Sequence, residues 1–134
     1  MNFAEVMALL KDELRIEVAK IVGFTDIKKR FLPIPWLMDM ADYVLSGCLN
    51  GEVVVIFDYP NDIAAAWKLA RMIEEPYSLK ISPGTLVRVM NCNWDDQGDI
   101  ICCTLASFWG EDDPLSITRA FVFIKTQEEN IVSK

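Results

Sequence analysis

Residues 86–126 constrain the fold of this chain more than any other part of it. Three segments rich in β-branched and aromatic residues, "LVRVMNCNW", "IICCTLASFW" and "LSITRAFVFIKT", are separated by the acidic stretches "DDQGD" and "GEDDP". Apolar runs bounded by turn-forming residues read as strands, and consecutive strands joined by short connections lie antiparallel. With a short strand near "YSLKI" and the turn "SPGT", the region from residue 77 onward reads as an antiparallel meander. The tail "QEENIVSK" reads as frayed.

The spacing within this region sets a register. A five-residue connection that uses Gly98 for a positive φ pairs Trp94 with Ile100 and Cys92 with Cys102. Opposed side chains on antiparallel strands lie within about 5.5 Å, close enough for the two sulfurs to touch or to oxidise. Neither of them, nor Cys48 or Cys103, belongs to a C-x-x-C pair, so all four cysteines are expected as reduced, mostly buried thiols. A calcium loop over residues 93–104 is tolerable at Asn93, Asp95, Gln97, Gly98 and Ile100. It places Thr104 where a bidentate Glu is needed, and a β-rich run follows instead of a helix. No metal and no cofactor is expected.

The first half reads as helical. Asn2 and Glu5 form a capping-box pair, and Phe3, Met7, Leu10, Leu14, Val18 and Ile21 recur at helical spacing up to Gly23, so one helix is expected over residues 3–22. The prolines of "TDIKKRFLPIPW" argue for a loop. "PWLMDMADYVL" then reads as a second helix ended by Ser46-Gly47, and Asn50-Gly51 as a turn. "EVVVIFDY" has the pattern of a strand covered on both faces. "NDIAAAWKLARMIEE" reads as a third helix capped by Asn61/Asp62, with Ile63, Ala66, Trp67, Ala70 and Ile73 on one stripe. Trp36 and Trp67 are expected in the core.

This order is α+β: two N-terminal helices and a third helix packed on a mainly antiparallel, curved sheet of about five strands. It is similar in outline to NTF2-like cone folds, in which N-terminal helices cap a curved sheet. At 134 residues with 52% hydrophobic and 25% charged content, a single domain over residues 1–134 is expected. No run approaches the ~20 apolar residues of a bilayer span and no signal-peptide core is present, so the chain reads as cytoplasmic and apart from the membrane.

Charge and chemistry narrow the function. The net charge is −7; residues 1–50 hold six basic and seven acidic residues, whereas residues 51–134 hold seven and thirteen. Such a balance disfavours nucleic acid, and the Lys28-Lys29-Arg30 cluster is too small to reverse it. The chain has no histidine, which removes Ser-His and Cys-His triads and the commonest zinc ligand. What remains is carboxylates and aromatics. Asp58 and Asp62 flank a strand-to-helix turn, and a strand near residue 79 running parallel to the preceding one brings Glu111, Asp112 and Asp113 to the same end as an acidic rim. Trp94 edges the other acidic loop, with Asp95, Asp96 and Asp99; Trp109 edges "GEDDP". These ten residues are the expected partner-binding set.

Two readings follow. The first is a binding domain, not an enzyme, that blocks a basic protein partner such as a nuclease toxin; bacterial immunity proteins and nuclease inhibitors are similar in size and acidity. The second is an NTF2-like small-ligand carrier or histidine-independent enzyme with a pocket between helices and sheet, lined by Tyr43, Tyr59 and Arg119. Arg119 is expected on a strand face with Ile117, Phe121 and Phe123. Either reading is compatible with a homodimer through an apolar sheet face.

Overall fold

The computed structural model describes residues 1–33, 41–74, 76–82, 86–109 and 113–132, the side chains of residues 128–132 excepted. In chain order these form α1 (Phe3–Ala8), α2 (Lys11–Val22), β1 (Thr25–Pro33), β2 (Ala41–Leu49), β3 (Glu52–Val55), α3 (Ile63–Ala70), β4 (Tyr77–Ser82), β5 (Leu86–Trp94), β6 (Ile100–Phe108) and α4 (Asp113–Val132). The fold is α+β, with four helices and two three-stranded antiparallel sheets ordered β1-β2-β3 and β4-β5-β6. One curved sheet of about five strands, and with it the NTF2-like order, is therefore not what forms.

The largest departure is α4. "LSITRAFVFIKT" reads as a strand, yet it lies inside a helix that runs on through the supposedly frayed tail to Val132. Leu115, Ile117, Ala120, Phe121, Val122, Phe123 and Ile124 are all buried, as are Ser116, Thr118 and Thr126. A helix buried around its whole circumference shows no 3.6-residue alternation, so its sequence is indistinguishable from that of a buried strand. The hydroxyls of Thr118 and Thr126 donate back to the carbonyls of Pro114 and Val122 at 2.7 and 2.8 Å, satisfying them inside the helix.

α4 packs against α1, α2, α3, β5 and β6. Val6 from α1, Leu14 and Val18 from α2, Ala66 and Leu69 from α3, and Val87, Val89 and Phe108 from the second sheet belong to the same core cluster. The expected first helix is two: Asn2 and Glu5 form the capping box, but the chain is extended at Leu10, whose N–H donates to the Glu13 carboxylate at 3.0 Å and restarts the helix. Gly23 ends α2 in the left-handed region at φ 114°. On α3 the buried side is Ala65, Ala66 and Leu69, leaving Ile63 and Trp67 substantially exposed; Trp36 lies outside the described residues.

Three further expectations fail in the first sheet. The loop predicted at residues 25–33 is a strand, and residues 41–45 of the predicted second helix belong to β2; residues 34–40 lie outside the described residues. Ser46 and Gly47 are mid-strand, not a helix end. The Ser46 hydroxyl is fully buried, accepting from Arg30 Nη1 at 2.9 Å and donating to the Lys28 carbonyl at 3.1 Å. A side chain at Gly47 would meet the Phe24 ring at 3.0 Å and the Thr25 carbonyl at 3.1 Å. Asn50 and Gly51, with φ of 53° and 82°, close β2 onto β3 as a tight hairpin. β3 is exposed at Glu52, Val53 and Val54, so it is not covered on both faces. In the second sheet the register matches the expected one, Trp94 against Ile100 and Cys92 against Cys102.

Because Phe121 is fully buried on the shared helix, Phe121→Ala is expected to cost about 3–5 kcal/mol. Urea denaturation monitored by circular dichroism checks this.

Candidate functional site

Beyond the core, β5 and β6 project as a hairpin. Every residue from Ile100 to Leu105 is exposed, so packing does not brace this half of the ladder. Other interactions do. Cys92 and Cys102, with Cα atoms 4.1 Å apart, are joined by a disulfide, while Cys48 and Cys103 are free. The expectation of reduced thiols is thus overturned for this pair: the Cys92 N–H donates to the Pro76 carbonyl on the β4 side, making Cys92–Cys102 a non-hydrogen-bonded pair, the closer of the two antiparallel pairings. The free Cys103 is itself exposed rather than buried.

At the tip, Asp95 organises the loop. Its Oδ1 accepts the N–H groups of Gln97 and Asp99 at 2.9 and 2.8 Å, and its own N–H donates to the Asp99 carbonyl at 2.8 Å. Gly98 takes φ 84°, the left-handed geometry expected of it. Asp95 is therefore occupied in holding the turn. Trp94 is 70% exposed; it lines a shallow pocket with Pro76, Tyr77, Ser78, Cys92, Asn93 and Ile100.

Trp109 is 56% exposed and sits just beyond the opposite end of β6. Its carbonyl accepts from Arg119 Nη1 at 2.7 Å. Arg119 lies on a helix, so it does not share a strand face with Ile117, Phe121 and Phe123; it ties α4 to the chain leaving β6. Asp113 opens α4, and Glu111 and Asp112 lie outside the described residues.

The strand arrangement on which the acidic rim was expected does not form, and two members of that rim, Glu111 and Asp112, lie outside the described residues. The arrangement required the strand near residue 79 to run beside the preceding one, but β4 pairs with β5 in a separate sheet. Asp62 caps α3, accepting the N–H groups of Ala64 and Ala65 at 3.0 and 3.4 Å. Asp58 accepts the Asn61 side-chain amide through both oxygens at 3.0 and 3.1 Å, and Lys11 Nζ donates to Asn61 Oδ1 at 2.9 Å. Arg15 donates to the carbonyls of Ile56 and Phe57 and anchors this turn to α2. Burial lowers the Arg15 pKa, and Asp58 opposes that shift.

The three residues expected to line a pocket diverge. Tyr59 is buried in the core, Tyr43 is exposed on β2 against Phe31, and Arg119 is on α4. The pocket that Tyr43 lines, with Asp12, Arg15, Ile16, Lys29, Val44 and Leu45, includes neither of the others. Among the described residues no group of three or more Cys, Asp or Glu is placed to hold a metal ion. No described helix is long and apolar enough to cross a membrane.

Two outcomes are expected. The disulfide closes a loop of sequence separation 10, so Cys92→Ser/Cys102→Ser is expected to lower stability by about 2–3 kcal/mol, with wild type falling to the same value in reductant; paired urea titrations check this. Burial raises the Tyr59 pKa above the usual 10.0, with Arg15 opposing it. Above pH ~10 the unfolded chain therefore releases a proton that the folded chain retains, and stability falls as pH rises. Tyr59→Phe is expected to flatten that alkaline decline in denaturation curves taken across pH 9–12.

No protein-family model, curated protein or solved structure matches this chain.

Proposed function

We propose that this chain is a protein-binding domain whose hairpin tip engages a basic surface of another protein, with Trp94 as the apolar anchor and Asp96 and Asp99 as its charged rim. The observation that carries this reading is a large aromatic side chain, 70% exposed, held on a loop fixed from within by Asp95 and from below by the Cys92–Cys102 link. Preorganisation lowers the entropy lost on binding, and exposed tryptophans on fixed loops are frequent binding hot spots.

The acids supply direction. With a net charge of −7, the chain attracts cationic surfaces over long range, and Asp96 and Asp99 concentrate that attraction beside the anchor. Occupation of a basic active-site cleft, such as that of a nuclease toxin, is the inhibitory mode that this chemistry suits. Trp109, at the far end of β6, is separated from the tip by the length of a nine-residue strand and does not belong to the same contact. The divergence of Tyr43, Tyr59 and Arg119 weighs against the pocketed enzyme or carrier.

Affinity capture from the native cell with wild type, Trp94→Ala and Asp96→Lys/Asp99→Lys tests the reading. A basic protein is expected on wild type, released by salt, and bound at least 30-fold more weakly by Trp94→Ala, equivalent to about 2 kcal/mol. Capture of the same partner undiminished by both variants sinks the assignment to the tip.

A further inference from the structure

We infer that the outer edge of β6 pairs antiparallel with the same edge of a second copy of this chain, joining two β4-β5-β6 sheets across a two-fold axis. This interaction is separate from the basic partner of the tip and does not depend on it.

The first observation concerns the edges. β1, β3, β4 and β6 are the outer strands of the two sheets. Proteins protect such edges with charge, because unpaired main-chain groups otherwise recruit another strand. β1 carries Asp26, Lys28, Lys29 and Arg30, β3 carries Glu52, and β4 carries Lys80. Only β6, "IICCTLASF", carries no charge. It instead exposes Ile100, Ile101 and Leu105.

The second observation concerns the backbone. Cys92–Cys102 is a non-hydrogen-bonded pair, so alternation turns the N–H and C=O groups of Ile100, Cys102 and Thr104 away from β5. The register shift opposite Val89/Met90 lies past Thr104, leaving residues 100–104 regular. A two-fold axis at Cys102 matches Ile100 of one copy with Thr104 of the other and forms about six main-chain hydrogen bonds.

Charge sets where two copies can approach and in which direction. Two chains of net charge −7 repel each other, and β6 is an uncharged, self-complementary strip where they can meet. Parallel pairing sets the two acidic tips side by side. Antiparallel pairing about Cys102 separates them by roughly 30 Å, several Debye lengths at physiological salt.

Light scattering after size exclusion, with sedimentation equilibrium, reads the mass of the oxidised chain. The expected result is twice the 15.2 kDa chain mass for wild type and the single chain mass for Thr104→Pro, which removes an outward donor without touching the β5 ladder. Thr104→Lys, which retains that donor but places a charge on the edge, guards against misfolding of the proline variant and is expected to be monomeric with unchanged circular dichroism. Hydrogen exchange supplies a separate readout: the Cys102 and Thr104 amides are expected to be protected in wild type and to exchange freely in Thr104→Lys. A monomeric wild type, or a dimer in which those two amides exchange freely, overturns the inference.

Discussion

The structure depends on the burial of α4. A helix with apolar residues on every side has no stable position at a surface, so the chain must wrap it completely. Three helices and one sheet do this, with α1, α2 and α3 joined by β5 and β6 around it. Each fully buried Leu, Ile, Val or Phe contributes about 1.5–3 kcal/mol, and the largest group of such side chains on one element is here. The two buried threonines do not interrupt the apolar surface, because their hydroxyls are satisfied by carbonyls of the preceding turn.

This requirement explains the division into two sheets. The β4-β5-β6 sheet lends one face to α4, whereas the β1-β2-β3 sheet is attached through α2 and the turn after β3. Arg15 holds that turn by its Ile56 and Phe57 carbonyls, and Phe24 fits over Gly47, where a side chain has no room. Lys11 adds a hydrogen bond to Asn61 of the same turn, and Ile56 is buried in the core cluster, so the attachment combines two cations, a close approach and an apolar anchor. Desolvation of the half-buried Arg15 opposes its charge, and proximity to Asp58 offsets part of that cost.

What was legible in the sequence is local. The Asn2/Glu5 box, the Gly23 stop, the Asn50-Gly51 turn, the Asp62 cap and the β5–β6 register all rest on side chains acting within a few residues of themselves, and all form. Alternation failed wherever tertiary burial erased it. α4 lost its helical period because residues 115–118, 120–124 and 126, which fall on every side of the helix, are all buried. Residues 25–33 looked like a loop because of the prolines at and beyond their end, yet Pro33 only ends β1, an outer strand where a missing N–H is tolerated, and Ser46-Gly47 looked like a helix stop because the Arg30 and Phe24 contacts that require them come from distant chain segments. The Leu10–Glu13 restart carries half of a capping-box signal, a glutamate three residues on, but leucine supplies no side-chain acceptor to complete it. At the site, the exposure of Trp94 and the cysteine register were readable, but Asp95 as an internal acceptor depended on the folded geometry of the turn.

The hairpin stands in contrast to the rest. The core residues are buried around α4, but every residue from Ile100 to Leu105 faces water, and Trp94 extends that exposed apolar surface to the tip. Core packing does not maintain the shape of this projection; the ladder, the Cys92–Cys102 link and the Asp95 turn do. A covalent link is useful there because it limits the freedom of a segment that little else constrains. It also ties the projection to redox conditions. A reducing environment removes the link, which leaves the core around α4 intact while loosening the part of the molecule that exposes its apolar edge and its tryptophan. Thiol chemistry therefore acts first on the exposed hairpin, and on the fold only through the stability that the link contributes.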